Sequence, residues 1–346
     1  MAPSPTPTPT LLPRETPVTP TPTLPPGGTG ATPTPPPTPP RKLTVVMTTI
    51  SGSWGMYGQA VEFLMSQAGV ATRFVEAENF LTALLSVRDS TAKEVGIIYC
   101  ALVPSDIAYL AYTGKHERFV NNPAPTSVMW AAFPGVLHLV TTEDSGIKSL
   151  ADLKGKRVST GAPGGSTEFQ ALKLLEIAGI EPIRDFSRWE KLTGSVAGSR
   201  LKDRELDAFF YTGPVPADFI ESLSRDLASQ GRRLYLVPID DATANKYMTA
   251  FPGVALRTTI SRTIYNTVQD TLTLSLWYVV VCHKDLPSDV AYSITRTVFE
   301  NLVILQGSTR EAKDTTPRNA VVLHGGGLPY HEGAIRYYRE IGVLTR

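Results

Sequence analysis

The run Gly164-Gly165-Ser166-Thr167-Glu168 places two glycines, two hydroxyls and an acid where the strand-like Arg157-Val158-Ser159 gives way to a helix. A helix start carries backbone N–H groups without intrahelical acceptors and roughly half a positive charge, so it can seat an anion. The glycines let the backbone approach a ligand that a β-carbon would hold off. Ser166 and Thr167 add hydroxyl donors. The run lacks the lysine of a phosphate-binding loop, so nucleotide chemistry is not indicated. Taken alone, the turn reads first as a plain helix cap, with Glu168 complementing the dipole. Glu168 would also repel an anion unless it pointed away or the ligand carried an amine.

Two further turns share this chemistry. Ser51-Gly52-Ser53-Trp54 follows a strand-like Leu43–Met47, and Ser105-Asp106 follows one ending at Val103. All three are small, hydroxylated and at helix starts, and together they describe a cleft lined by N–H and O–H donors.

Catalysis is not expected, and no cofactor or metal is assigned. None of His116, His138, His283, His324 and His331 falls in a nucleophile-elbow or zinc pattern. His324-Gly325-Gly326-Gly327 has the look of an oxyanion turn but lacks a G-x-S-x-G partner, and reads as a loop. The adjacent acids Asp240-Asp241 read as a solvated cap.

The elements that must position these turns alternate along the chain. Strand-like segments near 43–47, 71–75, up to 103, 136–141, 208–211, 233–237 and 276–282 are separated by helical stretches, the longest at Ser288–Leu305. Such alternation implies an α/β fold with parallel sheets, whose ligands gather at the carboxyl ends of strands. With 346 residues, 42% apolar, and a net charge of +1, the chain can bury one or two cores. No basic surplus points to nucleic acid, and no apolar run is long enough to span a membrane.

Residues 1–40 differ. Repeated Pro-Thr units give the run no apolar surface to bury, so a disordered, extended linker or stalk is expected. At ~3.1 Å per residue it would reach on the order of 120 Å, holding a globular body off a surface. No signal peptide or lipid-acceptor cysteine precedes it; a start after a removed targeting segment, a misplaced start and an intracellular protein all fit. Cys100 and Cys282 lie in apolar strand-like runs, where buried free thiols are the default and a disulfide between neighbouring strands the alternative.

The segment from Asp144 through Ser149-Leu150-Ala151-Asp152-Leu153-Lys154-Gly155 to Val158 resembles the one that opens the second lobe of type II solute-binding proteins. Ser51 to Met56, Pro104 to Tyr109, Phe209-Phe210-Tyr211-Thr212-Gly213-Pro214-Val215-Pro216, Lys284 to Pro287 and His331 to Glu340 are similar, in order, to motifs of the TAXI-type receptors of TRAP transporters. The resemblance runs from Lys42 to Arg346. It implies two Rossmann-like lobes of the type II periplasmic-binding-protein fold, residues 41–135 with 256–346 and residues 136–255, closing on a ligand. It also implies an extracytoplasmic, tethered, monomeric receptor that delivers a small carboxylate, such as glutamate or 2-oxoglutarate, to TRAP membrane subunits. An ABC-type or sensory receptor for another anionic or aromatic metabolite shares the fold.

On the residues themselves, a ligand carboxylate would sit on the N–H groups of Gly165, Ser166 and Thr167. Ser51, Ser53 and Ser105 would hold its other polar groups. Trp54 would wall its apolar part or serve as a core tryptophan. Tyr211 would stand at the hinge side or pack in the core.

Overall fold

A computed structural model describes residues 43–90 and 96–345; the Pro/Thr-rich run expected as a stalk lies outside them. The strands are β1 (Thr44–Thr49), β2 (Ala71–Glu76), β3 (Ile97–Pro104), β4 (Thr126–Thr142), β5 (Arg157–Ser159), β6 (Arg188–Glu190), β7 (Ala208–Gly213), β8 (Leu234–Leu236), β9 (Ala255–Ile260) and β10 (Thr271–His283). Between and after them run α1 (Ser53–Gln67), α2 (Phe80–Arg88), α3 (Ser105–Thr113), α4 (Ser166–Ile177), α5 (Pro182–Asp185), α6 (Gly194–Lys202) and α7 (Asp218–Ser229). The later helices are α8 (Asp241–Ala250), α9 (Arg262–Tyr265), α10 (Ser288–Glu300), α11 (Leu302–Gln306), α12 (Pro317–Ala320) and α13 (Glu332–Glu340).

The described strands form one sheet in the order β2-β1-β3-β10-β4-β7-β5-β6, with β8 also on β4 and β9 also on β10. β1 lies parallel to β2 and β3, and β10 runs against β3 and β4. The other half repeats the pattern: β5 lies parallel to β6 and β7, and β4 runs against β7 and β8. The motif of three parallel strands, an opposed strand and one more therefore occurs twice. This doubled α/β arrangement is the type II periplasmic-binding-protein fold that the sequence predicts. The expectation of purely parallel sheets is corrected, because the long strands β4 and β10 serve both halves and must oppose their neighbours.

Their composition explains that role. β4 is 17 residues long and β10 is 13, and each is buried almost throughout. A strand covered on both faces reads as a continuous apolar run rather than an alternating one. One buried core extends along the sheet from Val45, Met47 and Val281 to Leu174 and Ala208. A smaller one gathers Val140, Phe209, Leu227 and Tyr265.

Antiparallel pairing sets Cys282 opposite Cys100, and the two form a disulfide. The free-thiol default thus gives way to the cross-strand alternative. The helix expected over Ser288–Leu305 is interrupted at Asn301, whose backbone (φ −121°, ψ 34°) leaves helical geometry. Among the described residues no helix is long and apolar enough to cross a membrane.

Candidate functional site

Three helix starts meet at one tyrosine. Tyr278 of β10 pairs in register with Pro104, the residue before α3, and with Phe133 of β4. Its hydroxyl lies 3.1 Å from the Ser166 hydroxyl in the first turn of α4. Its ring lies 5.6 Å from Trp54 in the first turn of α1. Phe133 stacks on it at 5.0 Å, and Phe80 of α2 lies at 5.9 Å. Burial raises the Tyr278 phenol well above its ordinary pKa; the Ser166 hydrogen bond opposes this, and the nearby Asp106 reinforces it. The phenol is a hydrogen-bonding group throughout the physiological range, not a base.

The turn at the head of α4 is folded as its glycines allow. Gly164 takes φ +72°, and the Gly165 N–H donates to Ala162 O (3.1 Å). The Gly164 N–H donates to Glu168 Oε2 (2.7 Å), while Lys191 Nζ reaches Glu168 Oε1 at 2.8 Å. Glu168 is thereby turned onto its own loop and neutralised. Among the described residues the backbone N–H groups of Ser166 and Thr167 have no acceptor, as expected of a helix start. The Thr167 hydroxyl accepts from Thr212 N (3.0 Å), which ties α4 to β7.

The remaining predicted residues take separate places. Ser51 is exposed and Ser53 half-buried at the head of α1. Ser105 is fully buried and donates its hydroxyl to Val254 O (2.9 Å), so it braces the segment leading into β9. Tyr211 packs in another aromatic group, 5.4 Å from His138 and 4.8 Å from Phe219. His138 is buried, with Nδ1 against Val136 O (2.9 Å) and Nε2 against Tyr265 Oη (3.2 Å).

Three polar groups at the convergence were not among the predicted site residues. Asp106 has no exposed surface; its Oδ1 accepts from Ile107 N (2.8 Å), and its Oδ2 meets the Tyr247 hydroxyl of α8 at 3.4 Å. Burial pushes its carboxyl up to about 6. Gln170, one turn beyond Ser166, sits against Asp106 and partly offsets that burial, yet neither of its amide atoms makes a hydrogen bond of ordinary geometry. Tyr278 is the third. The Trp54 indole N–H is likewise buried; it lies toward the Tyr278 hydroxyl without making a hydrogen bond of ordinary geometry. Gln170 carried a readable signal, since it falls on the face of α4 that buries Ala171 and Leu174.

The other motifs are structural. Asp240 caps α8, accepting from Thr243 N (2.9 Å) and Thr243 Oγ1 (2.7 Å). Gly326 and Gly327 pack directly against Pro252 and Gly253, with Gly327 N donating to Pro252 O (3.0 Å). Among the described residues no cluster of three His, Cys, Asp or Glu could hold a metal.

Residues 49–342 match the NMT1-like family. The chain belongs to that family. Distant likenesses among solved structures include malate-bound MatC of Rhodopseudomonas palustris, 9% identical with a TM-score of 0.49 over 86% of this chain and 96% of that one. Another is the periplasmic aliphatic sulphonate-binding protein SsuA of Escherichia coli, 16% identical with a TM-score of 0.39 over 86% and 82%. A third is the binding-protein component of an ABC phosphonate transporter of Pseudomonas aeruginosa, 12% identical with a TM-score of 0.44 over 78% of each chain. This NMT1-like chain thus combines its family's assignment with a doubled α/β sheet and a buried polar convergence between helix starts.

Proposed function

We propose that this NMT1-like protein is an extracytoplasmic solute-binding receptor of the TAXI type, serving the membrane subunits of a TRAP transporter. Residues 41–135 with 256–346 form one lobe and residues 136–255 the other, and a small carboxylate closes them. The observation that carries this reading is the meeting of Trp54, Asp106, Ser166, Gln170 and Tyr278. They come from α1, α3, α4 and β10, and they include a buried indole N–H and a buried amide that make no hydrogen bond of ordinary geometry. Buried polar groups in native proteins are nearly always satisfied, and an unsatisfied one costs about 1–3 kcal/mol. A ligand that supplies the missing partners recovers that cost.

The chemistry fits a binder rather than an enzyme. The first turn of α4 offers N–H donors to a carboxylate, and among the described residues beside it no Ser or Cys nucleophile is paired with a base. A ligand touching both lobes stabilises the closed form by its differential affinity for the two states, and the transporter reads closure. The Cys100–Cys282 disulfide agrees with an oxidising, extracytoplasmic location. The Pro/Thr-rich run would tether the receptor to the cell surface.

A thermal-shift screen of the purified chain against amino acids and mono- and dicarboxylates tests the reading. Small carboxylates should raise the melting temperature; stabilisation by uncharged or cationic compounds alone would refute it.

A further inference from the structure

We propose that the cleft accepts a zwitterionic amino acid with an apolar side chain, its ammonium held by Asp106 and Gln170 and its carboxylate by the first turn of α4. This rests on the receptor reading above and narrows its ligand.

Asp106 is the first reason. It is fully buried in the first turn of α3, and among the described residues no Lys, Arg or His pairs with it. A buried carboxylate without a counter-charge is costly unless a cation or a proton joins it. An ammonium group brought by the ligand supplies the cation that the protein does not.

Gln170 is the second. Its amide is 1% exposed, lies one turn into α4 against the Asp106 carboxylate, and makes no hydrogen bond of ordinary geometry at either atom. Its carbonyl can accept from an ammonium while its NH2 donates to a carboxylate. On the α4 side, the Ser166 and Thr167 N–H groups are unpaired. The Ser166–Tyr278 hydroxyl pair uses only one of its two protons internally. The head of α4 and the Ser166–Tyr278 pair thus offer donors, and Asp106 and the Gln170 carbonyl offer acceptors, the two kinds of group that a carboxylate and an ammonium require. A 2-oxo acid would set its carbonyl oxygen against Asp106.

The side chain is read from the rings. Trp54, Phe80 and Phe133 surround Tyr278. Among the described residues no Lys or Arg hydrogen-bonds to any of these four. A second carboxylate would find no charged partner there, whereas an apolar side chain would pack on aromatic faces.

The test is calorimetry on the purified chain with L-leucine, L-phenylalanine, their 2-oxo acids 4-methyl-2-oxopentanoate and phenylpyruvate, L-glutamate and 2-oxoglutarate. One or both apolar amino acids should bind, each at least about 10-fold more tightly than its 2-oxo acid and than glutamate. Asp106→Asn should erase the preference for the amine. Equal or tighter binding of the 2-oxo acids, tighter binding of glutamate, or an unchanged preference in Asp106→Asn would overturn the inference and leave the receptor reading standing. If none of the six carboxylates binds, both fall. Should Asp106→Asn fail to fold, the matched pairs measured on the native chain decide alone.

Discussion

The Ser166 hydroxyl lies 3.1 Å from the Tyr278 hydroxyl, so the head of α4 is fastened to the long strand β10 across 112 residues of sequence. The bond is buried. Ser166→Ala and Tyr278→Phe should each lower unfolding stability by about 1 kcal/mol, and the double variant by less than their sum. Urea denaturation of the four proteins measures the coupling; strict additivity would mean that the two hydroxyls do not interact.

The disulfide offers a second measurement. It links strands that are neighbours in space but 182 residues apart in sequence, and such a cross-link restricts the unfolded chain strongly. Replacing both cysteines with serine should cost about 2–4 kcal/mol. A lowered urea midpoint with a steeper slope is the expected result, because the unfolded chain freed of the bridge exposes more surface. No change in the midpoint would mean that the bridge is absent in solution.

Glycine is required where the segment before β9 meets the loop after α12. A β-carbon on Gly327 would lie 2.6 Å from Pro252 O and 2.7 Å from the Tyr109 ring. Gly327→Ala should therefore destabilise the protein by roughly 1–3 kcal/mol. Gly146→Ala, where a β-carbon meets nothing within 4 Å although φ is +75°, separates backbone strain from overlap. An unchanged melting temperature in Gly327→Ala would rule out the overlap.

Acid titration has two opposed contributions between about pH 4 and 6. Asp106 has a folded-state pKa raised by burial from 3.8 to about 6. The folded protein therefore binds the proton first, and this group's contribution falls as pH rises from about 4 to 6. Asp106→Asn should remove that slope and raise stability at neutral pH by at most about 3 kcal/mol. His138 works the other way, since burial lowers it from 6.5 to about 4. The unfolded chain protonates first, so stability is lost as pH falls through that window. Unfolding free energies of the native chain and Asp106→Asn from pH 4 to 8 test the sign; a difference that does not grow with pH would contradict it.

Much of this was legible in the residues. The start of α4 at Ser166, the strand-to-helix corner at Pro104-Ser105 and the cap at Asp240 follow from local chemistry that a sequence carries openly. Tyr278 was not legible, because it lies in the apolar run Leu276–Cys282 and no periodicity marks one buried tyrosine as a meeting point. Its role depends on β10 pairing with β3 and β4, a long-range choice. The direction of β4 and β10 was hidden for the same reason, since an apolar strand reads alike in either sense. Ser105 shows the converse case: a hydroxyl in a well-marked turn is engaged by Val254 O, whose position only the fold decides.

The bridge between Cys100 and Cys282 also bears on how the sheet can deform. Strands held only by hydrogen bonds can slide or twist against each other. Here β3 and β10 are riveted at Cys100 and paired onward to Tyr278. On its other side the β10–β4 ladder shifts register between Tyr278 and Val279 and again between Val280 and Val281, within the section that the bridge anchors. Tyr278 stands at the border of the riveted section and at the first of these shifts, so the aromatic cluster around it sits where one ladder is locked and the other is kinked.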